Sequence, residues 1–554
     1  MLPSVALPVR IEVLSTTSIL GLIVFRLKLP LIVSYILVGV LLSVLSVFDV
    51  TQSLVLNILP ELGIAFVLFL IGMELDLREI KTIGVPIIVS AFGQIIISTI
   101  IGFAIAGFLG FNSVESIYLG LGLAFSSTVV VIKMLLEKQD ISSLYGKLSI
   151  GILLVEDLVA IGVLMMISVS SSTLNLGFQQ SLPLLTLILK AIGLFILTFV
   201  LSRYVLEKLF DIVAKSTKLL FFTAIAWCFT FTALAVLSGF SVEIGAFLAG
   251  VALASSPYHF QIQGKIKPLR DFFLALFFVY LGSQVKVGYI VTAFPAIIIF
   301  TLFAVLIKPL IYMLILGIFG FRKHTLFQTS LNLSQISEFS LIILVVGVKV
   351  GLVTQLPLSI MAAVAVLSII SSSILISLSK KLYKVFVPIM PFFEHKGKVH
   401  FLEVNTSSEL SEHVIIIGAH RTGGPVVKYL KKEGIPFLVM DFNPHLVKEL
   451  RDHGINIIYG DIGDPDVIDS LQIEKAKLII STASSMGDNE TLIEECIRRK
   501  TKATIIVRAE DKAHGDALKA LGADYVISPE KVAGIYLVNQ IKKHWSKVRF
   551  PDLN

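Results

Sequence analysis

Runs of mostly apolar residues, each about as long as a membrane-crossing helix, follow one another from near the N-terminus to about residue 380. Crossing ~30 Å of hydrocarbon takes roughly 20 residues of helix, and only helices or closed barrels satisfy their own backbone polar groups in lipid. By that rule about thirteen spans are expected, at 6–25, 29–48, 54–74, 83–111, 115–137, 145–170, 182–206, 219–239, 242–257, 270–285, 289–320, 325–349 and 356–378. The loops test the count. Arg26/Lys28, Arg78/Lys81, Lys138/Lys147, Arg203/Lys208/Lys215/Lys218, Lys265/Lys267/Arg270, Arg322/Lys323 and Lys380/Lys381/Lys384 all follow odd-numbered spans, and the other side carries Arg10, Lys286 and Lys349. Cytoplasmic loops hold the excess of Lys and Arg, so the N-terminus is expected outside and the C-terminus in the cytoplasm of a cell membrane.

Composition excludes several classes. With 55% hydrophobic and 15% charged residues and a mean hydropathy of +0.90, most of the chain belongs in a lipid bilayer. The net charge of +7 comes from Lys and Arg between apolar runs, a topological pattern that argues against nucleic acid as a partner. Cys228 and Cys496 show no disulfide or zinc spacing. Arg10 is the one base before the first apolar run and no small-residue cleavage site follows, so a first span is expected there and not a signal peptide.

Chemistry inside the membrane is expected at Glu156 and Asp157, adjacent carboxylates in the middle of an apolar span. Placing Asp at the centre of a spanning helix costs roughly 2.5–3.5 kcal/mol, so such groups normally face a water-filled cavity and mark an ion or proton path. Desolvation and like-charge repulsion hold a proton on one carboxylate until a cation replaces it, so the pair is the candidate monovalent-cation site. Lys308, near the centre of the eleventh span, is the expected cationic partner of this pair, and Pro309 after it is expected to distort that helix locally. Polar clusters interrupt two spans, Phe125-Ser126-Ser127-Thr128-Val129 in the fifth and Asn332-Leu-Ser-Gln335-Ile-Ser-Glu338-Phe339 in the twelfth. Paired broken helices point to a transport site, because freed backbone groups and helix ends coordinate ions; packing of small residues is the alternative. Glu61 and Glu243 stand near span boundaries and are expected to be structural, while Glu338 is deeper and a candidate for helix-end compensation or proton movement.

A linker over 381–411 separates an exchanger domain at 1–380 from a soluble α/β domain at 412–554. Apolar β-rich runs at 414–418, 437–440, 455–459, 478–481, 504–508 and 525–528 alternate with helical stretches, predicting a parallel sheet. Gly418-Ala-His420-Arg421-Thr-Gly423 follows the first strand, and Asp441 ends the second. Such a turn cradles phosphates at a helix N-terminus, and a carboxylate about 20 residues on binds ribose hydroxyls. His420 replaces the middle glycine and would crowd a pyrophosphate, leaving AMP or ATP as credible as NAD(H).

The motifs Leu68-Phe-Leu-Ile-Gly-Met-Glu-Leu75, Ser126-Ser-Thr128, Glu156-Asp157, Gly245-Ala-Phe-Leu-Ala-Gly250, Leu276-Phe-Phe278 and Ser334-Gln-Ile-Ser-Glu-Phe339, in that order, resemble the Kef-type cation/proton antiporters with a fused RCK (KTN) domain. The resemblance implies two inverted repeats with crossing broken helices, a dimer-forming panel and an elevator-like movement of the ion-binding core. It carries the ion-bearing aspartate onto Asp157 and the helix crossing onto Ser126 to Thr128 and Ser334 to Glu338. Kef-type members often have Gln where this chain has Glu156, and an acidic residue there with Lys308 looks like the electrogenic sodium/proton relatives. In the soluble part Gly418, Arg421, Gly423, Asp441 and the Gly460-Asp461 pair resemble RCK domains, which typically dimerise and sense nucleotides. A homodimeric potassium or sodium antiporter under nucleotide control is therefore expected. An RCK-gated potassium channel would need a Thr-Val-Gly-Tyr-Gly filter, which the chain lacks, and a membrane-anchored NAD-dependent enzyme would need a substrate domain.

Overall fold

The computed structural model describes residues 31–44, 84–174 apart from 139 and 142, 207–214, 216–238, 242–254, 256, 258–283, 287–394 and 410–544 apart from 421, 463 and 464, with scattered positions in 62–73 and 193–206. The first expected span, most of the third and seventh, Glu61, Arg421 and the side chain of Glu243 lie outside the described residues. Two compact units divide the chain, one of Met1–Val130, Gly151–Ile311 and Leu333–Ile374, the other of Val131–Ile150, Tyr312–Asn332 and Leu375–Asn554.

The principal helices of the apolar region are α1 (Leu31–Val44), α2 (Val85–Phe108), α3 (Ser113–Ala124), α4 (Thr128–Lys138), α5 (Leu144–Leu174), α6 (Thr217–Leu237), α7 (Val242–Ala254), α8 (His259–Ser283), α9 (Phe294–Leu302), α10 (Lys308–Ile318), α11 (Lys323–Asn332), α12 (Glu338–Lys349) and α13 (Gln355–Ser377). Among the described residues, five stretches are long and apolar enough to cross a membrane: Val85–Phe108, Ser113–Lys138, Lys218–Leu237, Phe294–Ile318 and Gln355–Ser377. Both expected interruptions are present. The fifth span stops at Ala124 and resumes at Thr128, and the twelfth stops at Asn332 and resumes at Glu338. Between α9 and α10 the helix widens into a π turn at Phe303–Ile307, just before Pro309, whose ring and missing N–H cannot complete the preceding α ladder.

One boundary differs from the reading of the sequence. The tenth span, expected from 270, starts at His259, so Lys265, Lys267 and Arg270 are helical and not in a loop. The reason is amphipathicity: Ile262 and Ile266, four residues apart, are fully buried while polar residues occupy the other faces, and a search for continuous apolar runs passes over such a turn.

Glycines set how closely the helices of the first unit approach. A Cβ on Gly250 would stand 2.9 Å from the Cα of Gly72 and closer still to the carbonyl oxygen of Phe69. Gly102 on α2 meets the Gly120 Cα on α3 in the same manner, at 2.8 Å. Without a hydrophobic drive between helices in lipid, such small-residue contacts supply the packing.

In the second unit, six parallel strands form one sheet in the order β3-β2-β1-β4-β5-β6. The strands are β1 (His413–Ile417), β2 (Phe437–Asp441), β3 (Ile457–Tyr459), β4 (Ala476–Ser481), β5 (Thr504–Arg508) and β6 (Tyr525–Ile527). Apolar layers cover both faces, Ile415, Met440, Ile479 and Leu492 on one and Ile416, Val427, Val439 and Val447 on the other. Burial on both faces explains why the strands read as continuous apolar runs. Strand order reverses between β1 and β4, where doubly wound sheets open a ligand crevice at their carboxyl ends.

Candidate functional site

The two interruptions meet. Ser126 Oγ donates to the Leu333 carbonyl at 3.3 Å, and Ser127 Oγ donates to Glu338 Oε2 at 3.0 Å, joining the fifth-span break to the twelfth. A broken helix exposes N–H groups at one end and carbonyls at the other, and each end here finds a partner. On the amide side, Ser126 N–H donates to Glu156 Oε2 at 2.7 Å and Thr128 Oγ1 donates to Asp157 Oδ2 at 2.9 Å. Both carboxylates thus lie at the N-terminal end of α4, where the helix dipole favours negative charge. Glu338 opens α12, with Ser337 as N-cap accepting from the Phe339 N–H at 3.1 Å. On the carbonyl side, Lys308 Nζ donates to the Gln335 carbonyl at 3.1 Å, and Gln94 Nε2 donates to the Ala124 carbonyl at 3.0 Å.

Exposure separates the adjacent carboxylates. Glu156 and Lys308 are fully buried, and the Glu156 charge acts electrostatically on the Lys308 ammonium. Asp157 is only half-buried. A fixed buried pair with a more accessible carboxylate beside it gives one compensated charge and one able to exchange its proton or cation. The residues singled out in the sequence, Glu156, Asp157, Lys308, Ser126, Ser127, Thr128, Gln335 and Glu338, all stand at the two breaks. Sequence reasoning missed the residues that hold the breaks open. Gln94 also donates to Ser98 at 2.9 Å, Ser372 Oγ donates to Gln335 Oε1 at 2.7 Å, and Ser368 Oγ accepts from Ile336 N–H at 3.4 Å. Gln94/Ser98 and Ser368/Ser372 are polar pairs four residues apart in apolar helices, a one-face signal that could have found them.

A second site lies in the second unit, a cavity of about 410 Å³ at the carboxyl ends of β1, β2 and β4. That is the volume of a small-ligand pocket. Gly418, His420, Asp441 and Asp461 line it, as expected from the sequence, together with Phe442, Ser485, Asp488, Arg508 and Lys147 of α5. Gly418 turns the chain at φ +83°, in the left-handed region, and a Cβ there would sit 2.5 Å from Thr482 Oγ1. A Cβ on Gly423 would strike the Gly418 carbonyl, so this glycine keeps helix Gly423–Glu433 (α14) against the turn. Asp441 Oδ2 accepts from the Ala419 N–H at 2.9 Å and Oδ1 from the Asn443 N–H at 2.8 Å, fixing the turn before any ligand arrives. His420 is exposed at the rim. Burial, with Asp461 and Asp140 close by, pushes the Asp488 carboxyl well above the usual range.

The segment leading into α5 belongs to this unit. Ser143 caps α5, its Oγ accepting from the Gly146 N–H at 3.0 Å. Asp140 accepts from the Tyr145 hydroxyl and, at 2.8 Å, from Ser485, the N-cap of helix Met486–Arg498 (α15). Lys147 Nζ lies 4.4 Å from the centre of the Phe442 ring.

Residues 13–380 match the family described as sodium/hydrogen exchanger, transmembrane, and residues 414–529 match the TrkA-N domain. A putative K(+) efflux antiporter KefB of Alkalimonas amylolytica is 26% identical over 94% of this chain and 80% of its own. The putative cation/proton antiporter YbaL of Escherichia coli strain K12 is 27% identical over 93% of each. Among solved structures, the sodium proton antiporter MjNhaP1 of Methanocaldococcus jannaschii is similar at 16% identity and a TM-score of 0.45, over 67% of this chain and 96% of its own. The first match takes in the crossing helices and the second the six-stranded sheet: the chain belongs to the sodium/hydrogen exchanger family, as a Kef-type cation/proton antiporter with a C-terminal TrkA-N domain.

Proposed function

We propose that the chain exchanges potassium or sodium for protons at Asp157, with Glu156 and Lys308 as a buried compensated pair and Ser126, Ser127, Thr128, Gln335 and Glu338 shaping the crossing around it. The observation that carries this reading is the contrast within one dipeptide: Glu156 is fully buried and accepts from the Ser126 N–H, whereas Asp157 is half-buried and accepts from the Thr128 hydroxyl. Proton and cation compete for a single accessible carboxylate, which couples their fluxes. The relative named as a K(+) efflux antiporter makes potassium the first cation to test.

The soluble cavity is read as a regulatory nucleotide site for AMP, ATP or NAD(H). Asp441 would take the ribose, and the turn of Gly418 to Gly423, including Arg421, would take the phosphates. Residues 1–380 form the exchanger, 381–411 the linker and 412–554 the regulatory domain, with the N-terminus outside, the sheet in the cytoplasm and two copies associating through both parts. In proteoliposomes holding a proton gradient, potassium or sodium chloride collapses the gradient with wild-type protein, and Asp157→Asn reduces the collapse to the protein-free rate. Equal collapse by Asp157→Asn would remove the carboxylate from the mechanism.

A further inference from the structure

Lys147 is near in sequence to the candidate ion carboxylates and yet lines the nucleotide cavity. It stands in the first turn of α5, and Glu156 and Asp157 follow on the same helix roughly two and a half turns later. Two contacts from one short stretch bring it there, Asp140 to Ser485 and Lys147 to the face of Phe442. Phe442 immediately follows Asp441, the carboxylate at the end of β2 where ribose hydroxyls are bound in this fold. Its seat over the Phe442 ring puts Lys147 next to the Asp441 end of β2, and Asp441 and Asp461 are carboxylates that act on its ammonium. Three carboxylates, Asp441, Asp461 and Asp488, line this cavity, and among the described residues Arg508, its other basic side chain, is 3.6 Å from Glu530. Carboxylates accept from ribose hydroxyls but donate nothing to their oxygens, and Lys147, over the Phe442 ring, is placed to supply a donor.

We propose that Lys147 completes the nucleotide site, donating from its ammonium to the ribose hydroxyl oxygens whose protons Asp441 accepts. A hydroxyl accepts and donates at once, so the lysine and the aspartate hold one ribose between them. The ligand class is an adenosine nucleotide with an intact ribose diol, and bound ligand is gripped by the helix that carries Glu156 and Asp157. This inference rests on the nucleotide reading of the cavity.

The test is calorimetric titration of the full-length protein in detergent with ADP, NAD and 2′,3′-dideoxy-ADP, comparing wild type, Lys147→Ala and Lys147→Arg. A hydrogen bond from a charged donor makes a difference of about tenfold or more in Kd. ADP and NAD should therefore weaken by about tenfold in Lys147→Ala and recover substantially in Lys147→Arg. Dideoxy-ADP, which lacks the diol, should bind wild type and Lys147→Ala alike, and that equality also shows that the variant is folded. Unchanged ADP and NAD affinity in Lys147→Ala overturns the inference and leaves the nucleotide site standing. No binding to wild type of ADP, NAD or, titrated in the same way, AMP and ATP overturns the nucleotide reading, and this inference with it.

Discussion

At the scale of single residues, Glu156 and Lys308 are both fully buried in the apolar region. Removing one buried charge leaves the other uncompensated at about 3–5 kcal/mol, whereas removing both is far cheaper. Thermal unfolding in detergent should therefore show Glu156→Gln and Lys308→Met each strongly destabilised and the double variant less so than the sum, by about 1–3 kcal/mol. Additive losses would mean that the two charges do not compensate each other. Asp488 carries a pH-dependent term. Its carboxyl is raised by burial and by Asp461 and Asp140, so the folded protein binds its proton more tightly than the unfolded chain. Stability from this group is full below the unfolded value of ~3.9 and is lost as pH rises through the raised folded value. Asp488→Asn should accordingly raise the melting temperature more at pH 8 than at pH 5, and equal gains at both would count against the shift. Charged and hydroxyl members of the candidate sites stood out in the sequence because ionisable groups in apolar runs are costly and therefore few. Gln94 and Lys147 did not, since an amide looks like ordinary helix packing and a lysine at a span's end looks like a topological marker.

At the scale of elements, both helix breaks were legible because clusters of polar and small residues recur at mid-depth in two spans, and the six strands fell within about two residues of their runs. The start of α8 was not, because among the described side chains of its first two turns Ile262 and Ile266 are the buried ones. The glycines of the family-like motifs turn out to serve packing, with Gly72 and Gly250 in backbone contact. Gly250→Ala drives a methyl into the Phe69 carbonyl, where no flexible side chain can yield, and should cost about 1–3 kcal/mol in detergent unfolding. Gly264→Ala on α8 meets nothing within 4 Å and should be neutral or stabilising by up to ~1 kcal/mol. A matching loss at both positions would mean that the contact at Gly250 is not the cause, since backbone entropy favours alanine at each. The π turn before Lys308 was anticipated only as a distortion, since Pro309 announces that the ladder breaks but not which way the helix relaxes.

At the scale of the whole molecule, an ion site and a nucleotide site in one chain are bound by thermodynamic reciprocity. If nucleotide changes cation affinity by some factor, cation changes nucleotide affinity by the same factor. Coupling of about 1–3 kcal/mol predicts a shift of about 5–150-fold in the ADP Kd between choline chloride and saturating potassium chloride, and an unchanged Kd would mean the two sites are energetically separate. The bond from Ser485 to Asp140 also fixes an order of events in time. It joins positions 345 residues apart, so the loop before α5 leaves the ribosome long before its partner exists. Synthesis runs from the N-terminus, and contacts of such separation close last. The helix carrying Glu156 and Asp157, α5, is therefore synthesised long before the loop leading into it can meet Ser485, and assembly of the second unit finishes only when the last strands of the sheet have been made.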